Sequence, residues 1–269
     1  MLRTGLRTNF VVSRTVSRSL STSSVLFSGH SKWATIKHDK AKNDTLRSKT
    51  NTKFSKLISI AVREGGSGDP ALNVRLQSAV DLAMKNNVPK KVIEGAISRE
   101  TGGNSGASSD KCQVAVYEGL GPGGVAVVVE AYTDNRARTA SDVKYAFTKS
   151  NGSMSPTLYL FERKGCIGID KSETNFDKLL DLAVELGAED VEEQGESFVV
   201  FTEHQQTAAI ANGLKTELKI AKVQIEYIAD PNSTIESSSF DPDTKKGFDK
   251  LMNMLDDLDD VTAVYTNCK

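Results

Sequence analysis

The sequence predicts an α+β chain: an N-terminal three-helix part followed by two α/β, ferredoxin-like units, the second inserted into the first. Three observations predict it. The apolar period is helical before the Gly/Ser-rich residues 101–110 and strand-like after them. Residues 165–228 read β-α-β-β-α-β, the complete ferredoxin-like order. A helix and a strand are then left over at the C-terminus, while the β-β-α-β run before residue 163 lacks one of each. The expected segments are therefore 1–27 as an import signal, 28–105 as a basic helical domain, 106–163 plus 230–269 as a middle α/β domain, and 164–229 as the insert.

The elements follow from local pattern. Leu46, Phe54, Leu57, Ile58, Ala61 and Val62 recur at three- and four-residue spacing and give a first helix one apolar face, up to Gly65-Gly66. Asp69-Pro70 supplies an N-cap and a first-turn proline for a second helix, lined by Leu72, Leu76, Ala79, Val80 and Ala83. Pro89 opens a third, with Val92, Ile93, Ala96 and Ile97 facing in. Two Val/Ala-rich strands, 113–118 and 124–132, flank the loop Gly119-Leu120-Gly121-Pro122-Gly123-Gly124 and read as a hairpin. A helix over 136–149 and a strand over 157–162 complete the first set. The insert reads as strand 165–170, helix 176–186, strands 188–193 and 197–202, helix 205–216 and strand 221–228. A helix over 248–258 and a strand over 261–265 close the chain.

Residues 1–27 hold four arginines (Arg3, Arg7, Arg14, Arg18), no lysine and no acid, with many Ser and Thr. That is the composition of a mitochondrial transit peptide, and Arg14 and Arg18 interrupt the apolar core that a secretory signal needs. The expected compartment is the mitochondrial matrix. No stretch reaches the ~18 consecutive apolar residues of a membrane span. Cys112, Cys166 and Cys268 form no CxxC pair, and His30, His38 and His204 no ligand cluster, so neither a disulfide framework nor a zinc site is expected. No GxSxG and no Gly-Lys-Ser/Thr loop leading into a helix is present. The chain is expected to be no enzyme, to need no cofactor and to be a monomer.

Net charge is −1, but its distribution is polar. Residues 30–63 carry nine Lys/Arg against two acids; residues 165–269 carry nine Lys against 22 acids. The first segment favours polyanions and the second repels them. The strongest constellation is the basic arm: His30, Lys32, Trp33, Lys37, His38, Lys40 and Lys42, continued by Arg47, Lys49 and Lys53. Each lysine can meet a phosphate and release counterions, and Trp33 can stack on a base. The competing reading is that Trp33 packs on the helices and the lysines are solvated. A second constellation is Thr133-Asp134-Asn135-Arg136-Ala137-Arg138-Thr139, at a strand-to-helix junction. Arg136 and Arg138 sit in a first turn, where the helix dipole disfavours cations. They serve a phosphate, or they pair with Asp134, Asp142 or a carboxylate of another domain. Asp256, Asp257, Asp259 and Asp260 crowd a helix C-terminus, again against the dipole, which marks a solvated or partner-facing turn.

Several motifs run in order along the chain: Gly29-His30-Ser31-Lys32-Trp33 with Ile36-Lys37, Gly68-Asp69-Pro70, Asn87-Val88-Pro89-Lys90, Tyr117-Glu118-Gly119 with Gly121-Pro122-Gly123-Gly124-Val125, Thr133-Asp134-Asn135-Arg136 with Arg138-Thr139, Ala146-Phe147-Thr148-Lys149, and Phe161-Glu162-Arg163-Lys164-Gly165. Together they resemble the YebC/PmpR family, which includes the mitochondrial translational activator of cytochrome c oxidase. The resemblance implies a helical domain and two α/β domains in a crescent. It implies a non-enzymatic role on the mitochondrial ribosome, rRNA or mRNA, including relief of stalling at proline runs, or alternatively DNA-binding transcriptional regulation. The pattern departs after Asn151-Gly152, where Ser155-Pro156-Thr157-Leu158 replaces the usual Gly-Ser-Val, so any contact made by that turn is open.

Overall fold

The computed structural model describes residues 32–102 and 112–269, with side chains from Lys40 onward. The chain divides into two units at Asn43/Asp44. What is described of the first is the opening of α1 (Lys32–Gly65), so the basic arm is helical from Lys32. The import signal expected over 1–27 and most of the Gly/Ser-rich linker lie outside the described residues.

In the second unit, α1 packs with α2 (Val74–Lys85) and α3 (Lys90–Thr101) around Ile58, Ala61, Val62, Leu76, Val80, Ala83, Val88, Ile93 and Ala96. The second helix starts later than its sequence suggests. Asp69 caps a turn instead, its carboxylate accepting from the Ala71 N–H at 2.9 Å. Asn73 is the N-cap, accepting from the Leu76 N–H at 3.0 Å, while its own amide donates to the Ala61 carbonyl at 2.8 Å. Leu72, expected inside, is therefore exposed.

β1 (Gln113–Leu120) and β2 (Ala126–Thr133) form the expected hairpin. Its loop needs glycine: Gly123 and Gly124 have φ of +74° and +76°. A Cβ on Gly123 would stand 2.9 Å from the Thr244 side chain and 3.1 Å from the Phe240 ring, so this loop seats the returning C-terminal segment. α4 (Arg136–Lys149) and the two-residue β3 (Ser153–Met154) follow. The chain returns as α7 (Pro242–Asp256) and β8 (Val261–Thr266), and the first sheet has the order β3-β1-β2-β8. Its core unites Val127 and Val129 with Phe147 of α4 and Leu251 and Leu255 of α7.

Between these halves lie β4 (Phe161–Asp170), α5 (Phe176–Leu186), β5 (Asp190–Gln194), β6 (Ser197–Glu203), α6 (Thr207–Lys215) and β7 (Ile220–Ala229). The second sheet has the order β5-β6-β4-β7, as a ferredoxin-like β-α-β-β-α-β unit requires, with both helices over a core of Ile167, Ile169, Leu179, Phe198, Val200, Ile210 and Val223. The strand expected over 157–162 forms only at 161 and 162, and there as the start of β4 in the second sheet. The Thr157 and Leu158 amides donate to the Glu118 carboxylate at 2.7 and 2.6 Å, which leaves them none for a ladder. The same clamp fixes the turn where the family pattern departs. β4 instead begins at Phe161, opposite Ala229, and runs unbroken through the charged Glu162-Arg163-Lys164.

Candidate nucleic-acid interface

The basic helix and the acidic turn meet. Lys49, Lys53 and Lys56 sit at i, i+4 and i+7, hence on one face of α1. β8 must lie beside β2, and that pairing brings the turn after α7 against this face. Lys49 Nζ lies 2.6 Å from Asp257 Oδ1, and Lys53 Nζ lies 2.7 Å from Asp256 Oδ1. Lys56 Nζ reaches Asp260 Oδ1 at 2.8 Å and the Asp259 carbonyl at 2.6 Å. The hydrogen bond to Asp257 raises the Lys49 pKa. The lysines supply the counter-charge that the C-terminal end of α7 lacks, which removes the dipole conflict. The turn's partner is the chain itself.

Asp260 is the node. Besides Lys56, its carboxylate accepts from Arg138 Nη2 at 2.8 Å, Thr139 Oγ1 at 2.9 Å and Thr133 Oγ1 at 3.2 Å. Burial pushes the Asp260 carboxyl up, but Arg138, Lys56 and Thr139 outweigh it and hold it well below the usual carboxylate range. Arg138 also holds Asp134 at 2.7 Å. Asn135 caps α4, accepting from the Ala137 and Arg138 amides at 3.1 Å each. The Thr133–Thr139 motif thus anchors the returning C-terminal segment. Lys49, Lys53 and Arg138, expected to meet a phosphate, are ion-paired in this fold, and for Arg138 the pairing with Asp134 and Asp260 is the alternative that the sequence left open.

The other nominated cations differ. Lys40, Lys42, Arg47 and Arg136 are exposed, and none makes an ion pair among the described residues. His30 lies outside the described residues, as do the side chains of Lys32, Trp33, Lys37 and His38, whose backbone is in α1. A second set of exposed lysines escaped the sequence reading. Lys144 and Lys149 on α4, and Lys245 and Lys246 on α7, lie on helices packed together by Phe147 and Leu251. Lys250 Nζ donates to the Lys149 carbonyl at 2.8 Å across that seam. Tyr145 stands exposed on α4. Only the closure of the first sheet brings these residues together, from positions about a hundred apart, so no local pattern could have found them.

A cavity of about 340 Å³ lies where α1 and α2 face both sheets, lined in part by Phe54, Arg75, Glu130, Glu226 and Tyr265. Arg75 pairs with Glu64. Burial raises the Glu130 carboxyl, opposed by the nearby Arg163 and Arg75. Tyr265 and Tyr227 meet edge-on with ring centroids 5.5 Å apart. Arg163 of β4 reaches the same Glu64 at 3.5 Å, so charge ties the helices to the second sheet here. Burial likewise pushes the Cys166 thiol up to about 12, far from the reactive thiolate.

This architecture matches known proteins along almost its whole length. Residues 31–103 match the family model described as the TACO1/YebC protein N-terminal domain, and residues 112–268 the model of the TACO1/YebC second and third domain. The chain belongs to the TACO1/YebC family. It is 41% identical over 262 residues to a probable transcriptional regulatory protein of Saccharomyces cerevisiae, covering 89% of this chain and 90% of that one. A protein of Trichlorobacter lovleyi with the same description is 43% identical over 244 residues, covering 89% and 95%. The crystal structure of a conserved hypothetical protein from Aquifex aeolicus superposes with a TM-score of 0.67 at 38% identity, covering 89% of this chain and 97% of that one. The yeast and Trichlorobacter relatives are named as probable transcriptional regulatory proteins, not as enzymes.

Proposed function

We propose that this TACO1/YebC protein is a non-enzymatic translation factor of the mitochondrial matrix. It associates with the mitoribosome and RNA through the N-terminal basic segment of α1 and supports synthesis of organelle-encoded respiratory subunits by relieving stalling at proline-rich stretches. One observation carries the choice of surface. Lys49, Lys53 and Lys56 of α1 are neutralised by Asp257, Asp256 and Asp260, whereas Lys40, Lys42 and Arg47 are exposed and make no ion pair among the described residues. The arginine-rich, acid-free residues 1–27 support the compartment, and the resemblance to the translational activator of cytochrome c oxidase supports the process.

The test is sedimentation with mitoribosomes over a salt series. Replacing Lys32, Lys37, Lys40 and Lys42 with Glu should release the protein. For RNA alone it should flatten the dependence of log K on log salt by about 3, at ~0.7 for each phosphate no longer neutralised. Unchanged sedimentation of the variant would overturn the assignment. The descriptions of the relatives favour a second reading, a DNA-binding transcriptional regulator of the organelle genome. Crosslinking followed by sequencing separates the two: recovery of promoter DNA in place of RNA selects the second.

A further inference from the structure

The acidic insert carries an exposed helix face whose chemistry is the reverse of the basic arm. α5 is amphipathic, with Leu179 and Ala183 buried in the core of the second sheet. At about 100° per residue, Phe176, Leu180 and Val184 form a row on one shoulder of the helix, and Asp177, Asp181 and Glu185 form the row beside it. Phe176 tucks against the core, but Leu180 is 36% exposed and Val184 64%. The three acids are exposed and make no ion pair among the described residues. α6 lies on the opposite shoulder, where a Cβ on Gly213 would stand 2.6 Å from Leu186. The Leu180/Val184 shoulder therefore looks outward, on the side of edge strand β5.

Two adjacent rows, one apolar and one anionic, fit a helix with two matching rows. The same molecule contains a related pairing. Lys49, Lys53 and Lys56, at helical spacing on α1, meet Asp257, Asp256 and Asp260. Nucleic acid is excluded by like charge. We propose that the α5 shoulder docks an amphipathic, lysine- or arginine-rich helical segment of a partner protein, with its apolar residues on Leu180 and Val184 and its cations on Asp177, Asp181 and Glu185. This surface is independent of the basic arm, so its failure and the failure of RNA binding are distinguishable.

The experiment uses the full-length mature chain and a fluorescent 18-residue helical peptide with one leucine row and one adjacent lysine row, read by anisotropy. Saturable binding is expected, and it should weaken at least tenfold from low to 0.3 M salt. Val184→Ser and Leu180→Ser should each weaken it severalfold while leaving the salt dependence in place. Asp177→Asn/Asp181→Asn/Glu185→Gln should weaken it at least tenfold and abolish the salt dependence. A peptide whose lysines are replaced by glutamate should not bind. Val184 is exposed enough that its variant folds, and circular dichroism checks this. Equal binding by wild type and the triple variant would overturn the proposal. So would equal binding of the two peptides, or a concentration-dependent dimer in ultracentrifugation that Val184→Ser dissolves; the last would assign the face to a second copy.

Discussion

Two acidic segments of this molecule take opposite places in the fold. Asp256, Asp257, Asp259 and Asp260 crowd the end of α7, and three of their carboxylates hold lysines of α1. Asp177, Asp181 and Glu185 are spaced along α5 and hold no cation among the described residues. The first cluster stands where the helix dipole opposes it and persists because a partner is built in; the second has no such compensation. Helix position alone does not separate them, since Glu185 also lies in the last turn of its helix; what separates them is that closure of the first sheet brings the lysines of α1 beside the α7 turn.

The comparison breaks most visibly at Asp260, whose side chain is only 18% exposed. Asp260→Ala removes the shared acceptor of Lys56, Arg138, Thr133 and Thr139 and leaves those donors partly buried. A loss of about 3 kcal/mol is expected, read as a clear fall in midpoint in urea. Asp181→Asn on α5 should stay within about 0.5 kcal/mol of wild type. Comparable losses at the two sites would mean that the α5 acids have a structural partner after all.

Acid titration sharpens the same contrast. The folded pKa of Asp260 is depressed, so its contribution is complete above the unfolded value of about 3.9 and is lost as pH falls through the lower folded value. The stability gap between wild type and Asp260→Asn should be constant above about pH 5 and narrow below about pH 4. A gap that widens on acidification would mean that Asp260 is neutral in the folded protein.

Much of the fold was legible because it rests on local pattern. The β-α-β-β-α-β run and the unpartnered C-terminal helix and strand pointed to the insertion, since each unit must complete its own sheet. What failed was decided by groups distant in sequence. Glu118 takes the amides of Thr157 and Leu158 and cancels the start of a strand that propensity favours. Asn73 displaces Asp69 as the cap of α2 because its amide also finds the Ala61 carbonyl. The pairing within the site is half legible for the same reason: Asp134, four residues before Arg138, is among the partners the sequence offers. Arg138 in a first turn was recognised as anomalous, but its partner Asp260 enters only when β8 closes the first sheet. The α4/α7 lysines likewise exist as a surface only after that closure.

Function and stability should therefore separate along α1. Lys40→Glu/Lys42→Glu is expected to weaken RNA binding and leave the thermal midpoint unchanged. Lys49→Glu/Lys53→Glu should lower the midpoint, through repulsion from Asp256 and Asp257, and disturb RNA binding less. Anisotropy on a short single-stranded RNA and a melting curve on the same samples read both. If the second pair costs more RNA affinity than the first, the acidic turn does not hold those lysines in solution.

The smallest effect distinguishes members of the turn from one another. Lys49 and Asp257 are 42% and 72% exposed, whereas Lys56 and Asp260 are 19% and 18%. Water and salt screen the first pair and reach the second poorly, so their coupling should differ although their N–O distances are alike. A double-mutant cycle on Lys49 and Asp257 is expected to give a coupling that vanishes in 0.5 M salt. The same cycle on Lys56 and Asp260 should keep most of its coupling there, because Arg138 and the two threonines hold the carboxylate in place whether or not mobile ions are present. Equal salt sensitivity in the two cycles would show that the whole turn is loosely held, and the contrast with α5 would then be one of degree. A difference would show that the turn is anchored at Asp260 and only trimmed by the outer pairs.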